Sequence, residues 1–232
     1  MEAYTSFLKW YRTTLATVCS VGSVFITDYL EGNLGQFPSL ILTLILVVIV
    51  FGLFEKLMEN LVENSVWLRK KTWGKQFIEG IWVDAVWENS SRDIAFGGII
   101  VIGFDKGELT YSGTAYQPDG YQFGAFEKSA CTYRDYILYV SHSGTTTEFP
   151  GSRIVGYGEF LFDRSGEIPL SFSGFYFESN SSTILNSRAK KIIDKNTLER
   201  ILNPDEKSKL VVENIRAQTR LQKSFQTNES GQ

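Results

Sequence analysis

Seven side chains in the middle of this chain are of the types that hold a planar anion: Tyr111, Ser112, Tyr139, Tyr157, Ser173, Tyr176 and Arg188. Aromatic faces stack on a base with roughly 1–3 kcal/mol per base. An arginine with nearby hydroxyls forms charge-assisted hydrogen bonds to phosphate. As residue types alone, the same set suits a fatty acid as well as a nucleotide, and both stay open here. Nothing comparable points to catalysis. The single histidine, His142, precedes Ser143-Gly144-Thr145 and reads as a turn residue at a strand end. Asp84 and Glu88 lie four apart in a strand and its exit, so they do not present paired carboxylates to one site. No Gly-rich loop opens a helix, and neither HExxH nor CxxC occurs. The expectation is a protein that is not an enzyme and carries no cofactor and no metal. Cys19 and Cys131 are too few and too far apart for a disulfide framework or a metal cluster, and read as two thiols in a reducing compartment. A net charge of -3 gives no whole-protein attraction to nucleic acid, so no direct DNA or RNA binding is expected. An anionic ligand needs a local site.

The elements that position these residues are strands. From Phe77 to about Lys191, candidate strands cover 78–87, 94–104, 108–116, 121–130, 136–142, 154–162, 169–178 and 183–190. Turn chemistry separates them: Asp105-Lys106-Gly107, Pro118-Asp119-Gly120, Ser143-Gly144, Arg164-Ser165-Gly166 and Ser179-Asn180. Eight short strands with no helix between them predict an antiparallel meander. Closing it into a small eight-stranded, lipocalin-like barrel removes its exposed edges. In the third strand, Leu109, Tyr111, Gly113 and Ala115 share one face, and Thr110, Ser112, Thr114 and Tyr116 the other.

The N-terminal quarter is of another kind. Phe37 to Phe54 contains no charge and meets the length of a membrane-spanning helix. Thr13 to Thr27 is also uncharged but rich in Ser and Thr, with Trp10, Tyr11 and Tyr29 at its ends. A signal peptide is disfavoured: Asp28 and Glu31 follow the run in place of a small-residue cleavage site, and a stronger hydrophobic segment comes next. Lys9 and Arg12 precede the first helix, the loop 28–36 has two acids and no basic residue, and Lys56, Arg69, Lys70, Lys71 and Lys75 follow the second. That bias places both termini in the cytoplasm. The expected organisation is two transmembrane helices over 1–54, a helical juxtamembrane linker over 55–76, the barrel over 77–191 and a charged helical tail over 192–232. The linker reads equally as a segment near lipid head groups or as a solvated helix. In the tail, Asn203-Pro204-Asp205-Glu206 is a helix start. Leu210, Val211, Ile215, Leu221 and Phe225 form a thin apolar stripe for the barrel or another copy, and 226–232 is expected to fray.

Two N-terminal transmembrane helices followed by an eight-stranded barrel resemble the membrane-anchored β-barrel effectors of bacterial CBASS antiphage systems. Gly80-Ile81-Trp82, Leu109-Thr110-Tyr111-Ser112-Gly113, Tyr157-Gly158-Glu159-Phe160 and Ser173-Gly174-Phe175-Tyr176 carry the resemblance in sequence. Gly80-Ile81-Trp82 also resembles the first-strand signature of lipocalins, which puts Trp82 in the barrel floor. The resemblance implies a receptor in the bacterial inner membrane that binds a cyclic dinucleotide. It further implies that ligand promotes homo-oligomerisation, that the clustered helices disrupt the bilayer, and that the infected cell dies. Tyr111, Tyr139, Ser173, Tyr176 and Arg188 are expected to line the pocket, with Trp82 and Ser129 nearby. The alternative is a membrane-tethered lipid-binding or structural and interaction barrel protein. An Arg or Lys on the inner face would favour a phosphate, and a uniformly apolar face an acyl chain.

Overall fold

The computed structural model describes residues 2–88, 94–147, 153–178 and 183–229, with side chains from residue 6 to residue 221. The expected turn at Ser179-Asn180, the side chain of Phe225 and residues 230–232 lie outside what is described. Two compact units divide the chain, 1–74 and 75–232.

The first unit is helical: α1 (Glu2–Leu34), α2 (Gln36–Asn64) and α3 (Val66–Trp73). The 28–36 loop expected from sequence is helix except at Gly35, whose φ of 81° breaks the run in a region that favours glycine. From there α2 returns antiparallel along α1. Arg12 reaches Glu55 at 2.6 Å, the Tyr11 hydroxyl donates to the Phe54 carbonyl at 3.1 Å, and Thr27 donates to Thr43 at 3.1 Å. Ser39 and Thr43 are buried, so the two hydroxyls in the uncharged stretch of α2 face inward while its leucines and isoleucines are exposed. In α1 the hydroxyls of Thr13, Thr14, Thr17, Ser20 and Thr27 and the Ser23 hydroxyl donate to carbonyls three or four residues back. A Ser/Thr-rich helix thereby satisfies its own polar groups without water. The stretches Ser6–Leu34 and Gln36–Asn64, 29 residues each, are long and apolar enough to cross a membrane. The expected linker is in part the last turns of α2. The helix then breaks at Ser65, whose hydroxyl caps α3 by accepting the Leu68 amide, and Arg69 donates to the Val62 and Glu63 carbonyls at the end of α2.

The second unit contains a closed antiparallel barrel in sequence order. Its strands are β1 (Gly80–Glu88), β2 (Ile94–Asp105), β3 (Glu108–Tyr116), β4 (Gln122–Arg134), β5 (Ile137–Thr146), β6 (Arg153–Phe162), β7 (Ser171–Glu178) and β8 (Ile184–Lys191). β1 pairs with β8, Trp82 opposite Lys191, and so closes the cylinder. Two turns have positive φ at both central residues, Lys106-Gly107 and Asp135-Tyr136, which matches the twist of tight hairpins. The second has no glycine to announce it. Ser143-Gly144, expected as a turn, lies inside β5, so His142 is a mid-strand residue.

The tail is two helices, α4 (Lys195–Leu202) and α5 (Pro204–Glu229), and α5 begins at the proline expected to start it. Asp194 caps α4 by accepting the Thr197 amide at 2.8 Å. Val211 and Ile215 pack with Ile201 on the outward faces of Val83, Ile99 and Tyr116, so α5 covers β1–β3. Gly97 makes the approach close: a Cβ there would lie 2.8 Å from Val211 Cγ1 and 3.0 Å from Ile215 Cγ1. The Asn214 amide donates to the Asp84 carbonyl at 3.0 Å, tying α5 to β1.

Candidate functional site

Strand alternation sends Trp82, Asp84 and Val86 of β1 into the barrel, and the pairing register then decides which residues of every other strand join them. The result is an interior packed with rings. Trp82 meets Phe162 edge-on at 5.2 Å and Phe172 at 5.3 Å; Phe160 meets Phe172 at 5.0 Å and Tyr176 at 4.9 Å. Burying each such side chain contributes roughly 1.5–3 kcal/mol, and each ring pair about 0.5–1.5 kcal/mol more. Glycine makes room where rings crowd: a Cβ on Gly158 would lie 2.9 Å from the Phe160 ring. At one end Lys191 folds over the floor, with Nζ 5.3 Å from the Trp82 ring centroid and donating to the Phe77 carbonyl.

One polar cluster interrupts the rings. Asp84 Oδ2 accepts the Tyr176 hydroxyl at 3.1 Å and the Ser187 hydroxyl at 3.2 Å. The Tyr176 hydroxyl, its one proton committed to Asp84, accepts from Tyr111 at 3.0 Å. Burial pushes the Asp84 carboxyl up to about 6, opposed by the hydrogen bonds from Tyr176 and Ser187. Burial also raises the Tyr111 phenol well above its usual range, with the Asp84 charge adding to the shift. Beyond Tyr176 sits His142, 2% exposed, its ring edge-on to Tyr176 and Phe126. Neither of its nitrogens has a hydrogen-bond partner. Burial pushes its pKa down to about 4, so it is a neutral core residue near pH 7. The glycine opposite, Gly156, leaves its space: a Cβ there would lie 2.5 Å from Nε2.

Among the described residues near the mouth of the barrel, a void between Phe96, Phe126, Thr146, Ile154 and Glu178 amounts to about 20 Å³. That is room for about one water, whereas small-molecule sites take about 300–1,000 Å³. That void is too small for a nucleotide or an acyl chain. Among the described residues the interior is not uniformly apolar, and the cation on its inner face, Lys191, is folded over the Trp82 ring.

The residues expected to share one pocket fall on two sides of the wall. Trp82, Tyr111 and Tyr176 are inside and buried. Ser129, opposite Tyr111 in the register, is on their side, and its buried hydroxyl has no partner. Tyr139, Ser173 and Arg188 each lie one position off the inward set (Leu138 and Val140, Phe172, Ser187 and Ala189) and face outward. Ser112 and Tyr157 are likewise one position off inward residues, and Tyr157 donates to Glu159 at 2.8 Å. Because side chains alternate with period two, a polar run such as Ser171-Phe172-Ser173 divides between the two faces.

Outside, an open cleft of about 370 Å³ lies along β6, β7 and β8. Leu161, Ser173 and Arg188 stand abreast across the three strands, and Arg164 and Ser171 complete its polar lining. Two of the expected residues, Ser173 and Arg188, belong to it. Sequence reasoning missed Arg164, which sits in a turn, and it read Asp84 and His142 as unremarkable. The signal for Asp84 was its spacing of two from both Trp82 and Val86.

Neither a known protein family nor a curated protein sequence matches the chain. Among solved structures, a de novo designed fluorescence-activating β-barrel is similar to 51% of this chain and to 96% of its own, at 10% identity and a TM-score of 0.35.

Proposed function

We propose that this protein is a two-span membrane receptor whose barrel faces the cytoplasm, binds a cyclic dinucleotide and self-associates to disrupt the bacterial inner membrane, as in CBASS antiphage defence. The observation that carries the choice is the packed interior. A carrier of acyl chains needs a wide apolar core, and among the described residues this interior is crowded with rings from Trp82 and Phe162 to Tyr176 and crossed by the polar cluster of Asp84. A solid barrel is suited instead to recognise a ligand on its outer surface and act as a rigid body. Attached to it is a helical hairpin with its apolar side chains outward, suited to a bilayer. The basic flanks Lys9, Arg12, Lys56, Arg69, Lys70, Lys71 and Lys75 support a cytoplasmic barrel.

The test is co-expression of the full chain with a cyclic-dinucleotide synthase. Membrane depolarisation and growth arrest that require both genes are the expected result. Growth unaffected with every synthase of a broad panel would overturn the reading. A second reading, a tethered interaction barrel, is favoured by one observation: Val155, Tyr157, Phe177 and Ile184 leave the part of the outer wall of β6–β8 beyond the cleft apolar and exposed. Recovery of one protein partner at fixed stoichiometry, with no response to any cyclic dinucleotide, would favour it.

A further inference from the structure

We infer that the outer cleft of β6–β8 is a binding site for a phosphate-bearing ligand, gripped between Arg164 and Arg188 with the hydroxyls of Ser171 and Ser173. The inference rests on the receptor reading for the ligand's full identity but not for the site.

The two arginines play different parts. Arg164 is already fixed: it donates to the Asp135 carbonyl at 3.0 Å and its guanidinium lies 4.5 Å from the Tyr136 ring centroid. A guanidinium has five N–H donors, so most remain for a ligand, and its orientation is set beforehand. Arg188 is exposed and, among the described residues, has no hydrogen-bond or ion-pair partner. Among the described residues, Arg134 and Arg153 of the barrel are engaged by Asp135 and Glu127. Leaving one uncompensated on a wall between two serines suits an incoming anion.

Charge and size agree. The lining holds two guanidinium groups and one acid, Asp163. That carboxylate is turned into its own loop, accepting the Ser165 amide at 3.0 Å and the Ser165 hydroxyl at 2.7 Å. Lys190, opposite Ser171 in the register, adds a further cation at the rim. Phosphate takes paired N–H donors from arginine in bidentate fashion and accepts serine hydroxyls with its remaining oxygens. The cleft volume exceeds that of a bare phosphate and falls in the small-molecule range. The exposed side chain of Leu161 adds an apolar surface for the organic part.

The experiment uses the full chain in phosphatidylcholine nanodiscs, titrated with inorganic pyrophosphate and with a panel of cyclic dinucleotides. A parallel series replaces part of the lipid with phosphatidylglycerol. Pyrophosphate and at least one dinucleotide are expected to bind. Arg188→Ala and Arg164→Ala should each weaken binding tenfold or more, Arg188→Lys should weaken it less, and Arg153→Ala should leave it unchanged. Competition by phosphatidylglycerol that is lost in Arg188→Ala would keep the site and assign it a lipid head group. A dinucleotide bound equally by wild type, Arg188→Ala and Arg164→Ala would overturn the cleft while sparing the receptor reading. Pyrophosphate binding that is lost in Arg188→Ala, with no dinucleotide bound, would keep the cleft and sink the receptor reading. No binding of any probe would overturn the cleft.

Discussion

The barrel has two outer walls built on the same alternation and put to opposite uses. On β1–β3 the outward positions are Val83, Ala85, Gly97 and Ile99, small or apolar, and α5 lies on them. At the cleft on β6–β8 they are Leu161, Ser173, Arg188 and Lys190, exposed, and α5 packs on β1–β3 instead. Backbone geometry is shared, so the difference lies wholly in side chains. One wall contributes to stability through burial, and the other is left free for recognition. The interior faces differ too. The covered wall sends in a carboxylate, Asp84 of β1, and the strand next to the bare wall, β5, sends in an imidazole, His142.

The largest effect is expected on the covered wall. Val211→Asp places an unpaired charge in the α5 seam and should lower barrel stability by about 3–5 kcal/mol in a denaturant titration. A loss below about 1 kcal/mol would mean that α5 is not docked there. Next comes pH. Asp84 has its folded pKa raised to about 6 from 3.8, so its protonated form is favoured on folding and stability falls as pH rises from about 4 to 6. His142 has its folded pKa lowered to about 4 from 6.5, so stability rises with pH over nearly the same window. Each slope approaches about 1.4 kcal/mol per pH unit, and in the wild type they oppose each other. Asp84→Asn should therefore expose a rising profile and His142→Phe a falling one, read as the difference between the two variants at pH 4, 5 and 6. Parallel profiles would refute the assignment. Gly97→Val drives a side chain into Val211 and Ile215 and should cost about 1–3 kcal/mol in the same assay. Smallest is the bare wall itself: Arg188→Ala should move stability by less than about 0.5 kcal/mol, which separates its recognition role from any structural one.

Much of the fold could be read from the chain before its structure. Eight strands, their order and the closed barrel follow from turn residues and alternation, and the two long helices from uncharged length. What escaped was parity and register. Ser143-Gly144 carries turn residues, so β5 was expected to stop at His142 when it runs on to Thr146, and the β4–β5 turn at Asp135-Tyr136 has no glycine to announce it. That error turned a buried core histidine into a loop residue. Likewise, Ser173 and Tyr176 look equivalent in a polar-aromatic run, yet one faces water and the other the core. Which face is inward depends on long-range pairing such as Trp82 with Lys191, a choice that no local pattern encodes. The cleft was harder still, because Arg164 and Arg188 meet only once β6 and β8 flank β7.

The pairing of Trp82 with Lys191 also sets an order of events during synthesis. The helical hairpin is made of neighbours in the chain and can assemble early, as local contacts form quickly. The barrel cannot close until its last strand has been translated, and Asn214 cannot latch onto Asp84 until α5 follows. Through that interval β1 carries an unpaired edge and an uncovered apolar outer face, the kind of surface that aggregates or recruits a chaperone. The tail thus closes the window of vulnerability that the barrel's own topology opens.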